Sequence, residues 1–186
     1  MQKIFRVVYI MLMCQAFISF SLLAQKKDFV LVEAESFNEK GGWVLDQQFM
    51  DQMGSPFLLA HGIGKPVQDA STEVMIPKKG TWHVYARTWN WCSPWKTKES
   101  PGRFKIAVNG AVLDNELGMG TQWNWEYAGS IEIKDKSNIV TLKDLTGFEG
   151  RCDAILFTKN KNSIIPNRKE DLSAFRKELL NIPTKP

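Results

Sequence analysis

Five of the chain's seven tryptophans fall in two short stretches: Trp89, Trp91 and Trp95 in RTWNWCSPW, and Trp123 and Trp125 in TQWNWEY. An indole face stacks on the C–H surface of a sugar ring, and a neighbouring guanidinium fork donates hydrogen bonds to its hydroxyls. Arg87 and Arg103 stand close enough in sequence to supply such forks. If TWHVYARTWNW is extended, the two-residue period puts Trp82, Val84 and Ala86 on one face. His83, Tyr85, Arg87, Trp89 and Trp91 then share the other. Two readings stay open: these rings form a flat surface held out for a ligand, or they are a satellite core beneath a covering segment.

Carboxylates form a second constellation. Glu33 and Glu35 in VEAESF are two apart, so on an extended strand they point to one side and repel unless a positive charge lies between them. A calcium ion, which takes hard oxygen donors, answers that need. Asp153, just before the apolar run Ala154 to Phe157, adds a third carboxylate if the last strand lies beside the first. A solvated glutamate pair partnered by lysines is the alternative.

Enzyme signatures are sparse. His61 and His83 are the only two histidines, which excludes a metal centre built from several imidazoles and leaves a Ser-His-Asp arrangement just those two to draw on. His61, in LLAHGIGKP, is the better candidate for a binding residue or a base. GIGKPV has Val67 where a dinucleotide fingerprint needs its third glycine, and Pro66 interrupts the helix that should follow.

The elements that must position these residues are mainly strands. DFVLVEAE, STEVMIP, GTWHVYARTW, EYAGSIEIKD, NIVTLKDL and CDAILFTK are short, rich in β-branched and aromatic residues, and punctuated by glycine, proline or asparagine. RFKIAVNGAVLD carries Asn109-Gly110 between apolar stretches, a strong hairpin signal. About eight strands without intervening helices predict an all-β, antiparallel sandwich of jelly-roll type. Residues 41 to 70 show no clean period and read as a long loop with a task. Near the C-terminus, Leu172, Phe175 and Leu179 have helical spacing, with Asn167 and Glu170 as a capping box. The predicted organisation is a leader at 1–24, a sandwich at 25–160, and a short helix with a linker-like tail at 161–186.

Lys3 and Arg6 precede an apolar run of about 17 residues ending near Ala24, the pattern of a secretory signal peptide. A spanning helix needs roughly 20 residues, so an uncleaved anchor is the lesser reading. Secretion or periplasmic residence without a membrane span after cleavage is therefore expected. The formal charge of +4 falls to +2 once Lys3 and Arg6 are gone, and no basic cluster suggests nucleic acid. Cys92 and Cys152 then remain, either as one bridge or as two thiols.

The opening VEAESFNEKGGW and the closing GRCDAILFT resemble the two ends of calcium-dependent, carbohydrate-binding β-sandwich modules of galactose-binding-like fold. That resemblance implies a structural calcium ion held by Glu33, Glu35 and Asp153. From about Val32 to Pro186 the chain also resembles the module that precedes the flavin-binding domain in secreted bacterial FAD-dependent oxidoreductases, some labelled xanthan-lyase-like. The strings that carry this are GGWVLDQQFMDQMGSPFLLAHGIGKPVQDA, ARTWNWCSPW, PGRFKIAVNG, DLTGFEGRCDAILFT and LSAFRKELLNIPTKP. In that architecture a glycine-rich flavin motif follows; the sequence here stops at Pro186, so no FAD is expected in this chain.

Together these features predict a non-catalytic module for carbohydrate or glycoconjugate, with Arg87, Trp89, Trp91, Trp95, Arg103, Trp123, Trp125 and His61 as candidate contacts. The alternative is an interaction module that docks residues 41 to 70 and the C-terminal helix on a separately encoded oxidoreductase. A polysaccharide lyase or hydrolase using His61 or an aspartate as base is a third.

Overall fold

A computed structural model describes residues 28–92 and 100–179. Trp95, the predicted leader and the tail from residue 180 lie outside the described residues. Strands run β1 (Phe29–Glu33), β2 (Trp43–Asp46), β3 (Phe57–His61), β4 (Ala70–Met75), β5 (Gly80–Thr88), β6 (Phe104–Val108), β7 (Ala111–Val112), β8 (Asn124–Ile133), β9 (Ser137–Asp144), β10 (Phe148–Cys152) and β11 (Ala154–Thr158). A single helical turn, α1 (Met50–Met53), and a terminal helix, α2 (Lys169–Leu179), complete the described elements.

All named strand pairs are antiparallel, in sheets ordered β1-β11-β5-β8, β10-β3-β2 and β4-β9-β6-β7. The first and third sheets share one core. Trp82, Val84 and Ala86 from β5 and Ile155 and Phe157 from β11 meet Phe104, Ile106 and Val108 from β6 and Val140 and Leu142 from β9. The alternation read in β5 thus points Trp82, Val84 and Ala86 inward, all fully buried. The fold is an antiparallel β-sandwich with a short C-terminal helix.

Asn109 and Gly110 form the expected turn, with φ of 50° and 82°, joining β6 to β7 through the Val108↔Ala111 pair. Glycine admits that left-handed conformation without a Cβ clash, and asparagine tolerates it.

Residues 41–70 are not one long loop. They hold β2, α1 and β3, and the small sheet these make with β10 extends the sandwich. The period-2 signal was silent there because Phe57, Leu58, Leu59 and Ala60 are all buried, so β3 has no polar face to alternate with.

The outer face of the first sheet is covered by the C-terminal segment. Phe175, Leu179 and Ile165 pack with Phe29, Leu31, Tyr85, Trp125 and Leu156, and the Phe29 and Phe175 rings meet edge to face at 5.7 Å. Leu172 is fully buried. The apolar stripe of α2 is therefore spent on its own sandwich and is not the exposed helix face that would have favoured the docking alternative. Asn167 does not cap α2, because its side chain serves Arg87 and the Trp123 carbonyl.

Candidate functional site

Trp89 and Trp91 lie just beyond β5, where the chain leaves the first sheet beside β3 and β10. Trp89 is half-buried and packs with Phe49, ahead of α1, at 5.1 Å between ring centroids. Trp123, before β8, closes the group at 5.3 Å from Phe57 and 6.0 Å from Trp89. Its loop is fixed by Glu126, whose carboxylate accepts the N–H groups of Gly118, Met119 and Gly120, while Gly120 accepts from Asn90 N–H. Trp91 reaches further out and tilts against Phe148 at 5.7 Å, and His61 meets the same Phe148 at 5.9 Å. His61, Phe148 and Trp91 thus form a strip of rings at the end of β3 and the start of β10, with His61 exposed and the other two half-buried.

Arg151 lies under this strip. Its Cζ is 5.6 Å from the Trp89 ring centroid and 5.9 Å from each of Trp91, Phe49 and Phe57. Nη2 donates to Glu149 Oε2 at 2.8 Å, and the other Glu149 oxygen lies 2.6 Å from His61 Nδ1. Burial lowers the guanidinium's pKa, which the charges of Glu149 and Asp46 oppose. Arg151 Nε and Nη1 are shielded and make no hydrogen bond, as are the indole N–H groups of Trp89, Trp91 and Trp123. Five donors left unmet in one neighbourhood are a costly arrangement for a core.

The backbone here is strained as well. Glu149 has φ of 63° at an irregularity in the β10–β3 register, and Ile63 has φ of 52° two residues past His61. Non-glycine residues held in that region gather where a fold serves a ligand. The intervening turn is fixed by Gly147, whose carbonyl accepts from Gly62 and Gly64 N–H, and a Cβ at Gly147 would stand 1.9 Å from the Lys65 carbonyl oxygen. Close backbone approach is the reason for glycine at that position.

The remaining predicted contacts are not part of the strip. Arg87 is 2 % exposed and pairs with Asp153, so it is not a polar anchor at the surface. Its face of β5 continues under the C-terminal segment, which strand alternation alone does not reveal. Trp123 is buried, Trp125 is half-buried with its indole N–H on the Pro166 carbonyl, and Arg103 pairs with Glu116 at 2.9 Å. Phe148, Glu149 and Arg151 were missed. The signal was present in GFEGRC, where an aromatic, an acid and an arginine stand among glycines immediately before Asp153.

The carboxylate cluster did assemble, though not on an extended strand: β1 ends at Glu33, and Ala34–Ser36 turn as a short 3-10 helix. Asp153 is fully buried, with Oδ1 accepting from Ser55 Oγ and Oδ2 facing Arg87 Nη1 and Arg176 Nη2 at 3.1 and 2.7 Å. Arg176 Nε also makes a 2.7 Å charge contact with Glu33 Oε1, and its Nη1 donates to the Met53 carbonyl. Glu33 Oε2 and Glu35 Oε2 are shielded and without hydrogen-bond partners. Burial pushes both glutamates up to about 7. Two free oxygens would suit a calcium ion, but the third expected donor, Asp153, is committed to arginines. Among the described residues no group of three His, Cys, Asp or Glu side chains is disposed to hold a metal ion. As folded, these residues do not fit a three-carboxylate calcium site. Cys92 and Cys152 are both free thiols.

No family model and no curated protein matches the chain. Solved structures do match. The Podospora anserina GH26-CBM35 β-(1,4)-mannanase aligns with a TM-score of 0.56 at 16 % identity, over 75 % of this chain and 29 % of that one. A family 35 carbohydrate binding module from Clostridium thermocellum aligns at 0.54 and 17 %, over 69 % and 96 %. A Paenibacillus xanthan lyase aligns at 0.50 and 17 %, over 70 % and 13 %. At these identities the likeness is one of fold: the chain has the β-sandwich of carbohydrate-binding modules. It spans under a third of the mannanase, and less of the lyase.

Proposed function

We propose that the chain is a secreted, non-catalytic module that binds carbohydrate on the strip formed by His61, Phe148 and Trp91, with Glu149 and Arg151 beneath. The strip of His61, Phe148 and Trp91, exposed or half-buried beside the charged Glu149–Arg151 pair, carries this reading. A sugar brings an apolar ring face for the aromatic strip and hydroxyls for the His61–Glu149 pair at its rim. The fold shared with carbohydrate-binding modules supports it.

His61 and Glu149 at 2.6 Å serve here to orient each other at the rim. Stacking and charge-assisted contacts of about 1 kcal/mol each imply dissociation constants in the micromolar to millimolar range. Such a module holds an associated enzyme near its polymer, and the oxidoreductase of the sequence resemblance is the partner class we propose.

Titrating the protein with neutral and acidic oligosaccharides while following indole fluorescence tests the reading. A saturable change is expected, because Trp91 sits in the strip. A flat response to every sugar ends it.

A further inference from the structure

The cation that the sequence resemblance assigns to a metal is supplied by the chain itself. We infer that Arg176 is the resident counter-ion of the Glu33, Glu35 and Asp153 cluster, and that its arrival on α2 completes the sandwich in place of calcium.

The geometry is specific. One guanidinium faces three backbone regions at once: Nε contacts Glu33 at the end of β1, Nη2 contacts Asp153 at the head of β11, and Nη1 donates to the Met53 carbonyl at the end of α1. A calcium ion joins separated segments in the same way, through hard oxygen donors including carboxylates and main-chain carbonyls. Arginine does so with a planar fork that stays charged when buried. Arg176 is 8 % exposed and occupies a position of the stripe Leu172, Phe175, Leu179 that would otherwise be apolar. A buried charge in that stripe is expensive unless paired, so its presence marks a partner waiting on the sandwich.

A second contact strengthens the argument. Arg87, the other guanidinium on Asp153, donates from Nε to the Asn167 side chain and from Nη2 to the Asn167 carbonyl. Asn167 in turn donates to the Trp123 carbonyl. Both arginines therefore tie residues 167–176 to the same carboxylate, and the network ends on a tryptophan beside the aromatic strip. On this account α2 is a structural part of the domain, and the cation that draws Glu33 and Asp153 together is a guanidinium rather than a metal.

Thermal unfolding of the wild-type chain, with a strong chelator and with millimolar calcium, is the first measurement. Neither addition should move Tm. A fall on chelation, or a saturable rise with calcium, would overturn the inference. The second measurement is a coupled pair of substitutions. Arg176→Met should lower Tm by roughly 10 °C, and Glu33→Gln should raise Tm more in the Arg176→Met background than in wild type. Equal shifts in the two backgrounds would show that the two residues are not electrically coupled and would also overturn it. Should Arg176→Met fail to fold, Arg176→Lys keeps the charge and loses the fork. It should fold with a smaller drop and gain Tm less from Glu33→Gln than a neutral residue would; no drop at all in Arg176→Lys would remove the fork from the account.

Discussion

Arg176 Nη2 stands 2.7 Å from Asp153 Oδ2, the same oxygen that Arg87 Nη1 reaches at 3.1 Å. Two guanidiniums thus converge on one fully buried carboxylate, and Glu33 and Glu35 bring the local count to three acids against two bases. The surplus negative charge must be met by a proton or carried at a cost. Burial is the main reason that Glu33 and Glu35 both rise to about 7, and burial raises Asp153 as well.

A pH dependence of stability results. The folded pKa values of Glu33 and Glu35 exceed the ordinary value of 4.5, so between about 4.5 and 7 the folded chain holds more protons than the unfolded one. Stability therefore falls as pH rises through that window. The protein should unfold at a higher temperature at about pH 5.5 than at about pH 8, by an amount equivalent to about 2 kcal/mol for the coupled pair. Calorimetry across the window checks this, and a stability that rises with pH would refute it.

Glu35→Gln isolates one member. Its Oε2 is shielded and unpartnered, so the ionised form gains little from its surroundings, and glutamine keeps the shape without the charge. The variant should be more stable than wild type by about 1 kcal/mol at about pH 8, or roughly 3 °C in Tm. At about pH 5 the native carboxyl is already neutral, and the difference should vanish.

Much of the sandwich was legible because β4, most of β5 and β9 alternate buried with more exposed positions. Trp82, Val84 and Ala86 could be placed inward from spacing alone, and Asn109-Gly110 named its own turn. Legibility failed at β3 and at the outer face of β5. β3 lost its alternation because α1 and the aromatic cluster seal one side of it and the main core the other. Arg87 was read as exposed for the same reason in reverse. Alternation correctly placed it opposite Val84 and Ala86, but only the tertiary fold puts residues 165–179 over that face. The cluster of Glu33, Glu35 and Asp153 was visible as a meeting of chain ends. Its counter-charge was not, since Arg176 looks like an ordinary solvated helix residue until its neighbours Leu172, Phe175 and Leu179 are found buried.

The tryptophans separate into two kinds, and substitution should tell them apart. Trp91 lies on the strip and Trp125 under the C-terminal segment, where its indole N–H holds the Pro166 carbonyl at 2.9 Å. Trp91→Ala should weaken oligosaccharide binding about tenfold, the equivalent of one stacking contact, with little loss of Tm. Trp125→Ala should leave binding nearly unchanged and lower stability by about 2–3 kcal/mol, because it opens a cavity beside Phe175. Isothermal titration and thermal unfolding on both variants decide the assignment, and a reversed pattern would move the site.

The thiols should differ in the same structural terms. Cys152 is fully buried and its thiol is held well above its ordinary pKa by burial, with Asp153 adding to the shift. Cys92 is half-buried. A thiol reagent should label Cys92 in the native protein and reach Cys152 only on unfolding, since the thiolate is the reactive form. Reductant should leave Tm unmoved. Rapid modification of both cysteines in the folded state would contradict the packing around β10.

Ile63 offers a test of stored strain beside the strip. It is 81 % exposed yet holds φ of 52°, a region that a β-branched side chain enters at a cost. With most of its surface in water, little packing offsets that cost, and the next residue, Gly64, already continues the turn at φ of 80°. Ile63→Gly removes the clash between Cβ and the backbone, though it also frees the unfolded chain. The net gain should be about 1 kcal/mol, seen as a rise of roughly 3 °C in Tm. If Tm instead falls, the side chain is making a contact that matters more than its backbone. The same variant should be titrated with the oligosaccharide that binds wild type best. The turn from Gly62 to Lys65 hangs on the Gly147 carbonyl and so sets where His61 and Phe148 stand. A more stable chain with weaker sugar binding would show that the left-handed isoleucine holds the rim in its working shape, the relation between strain and function that Glu149 shares on the adjoining strand.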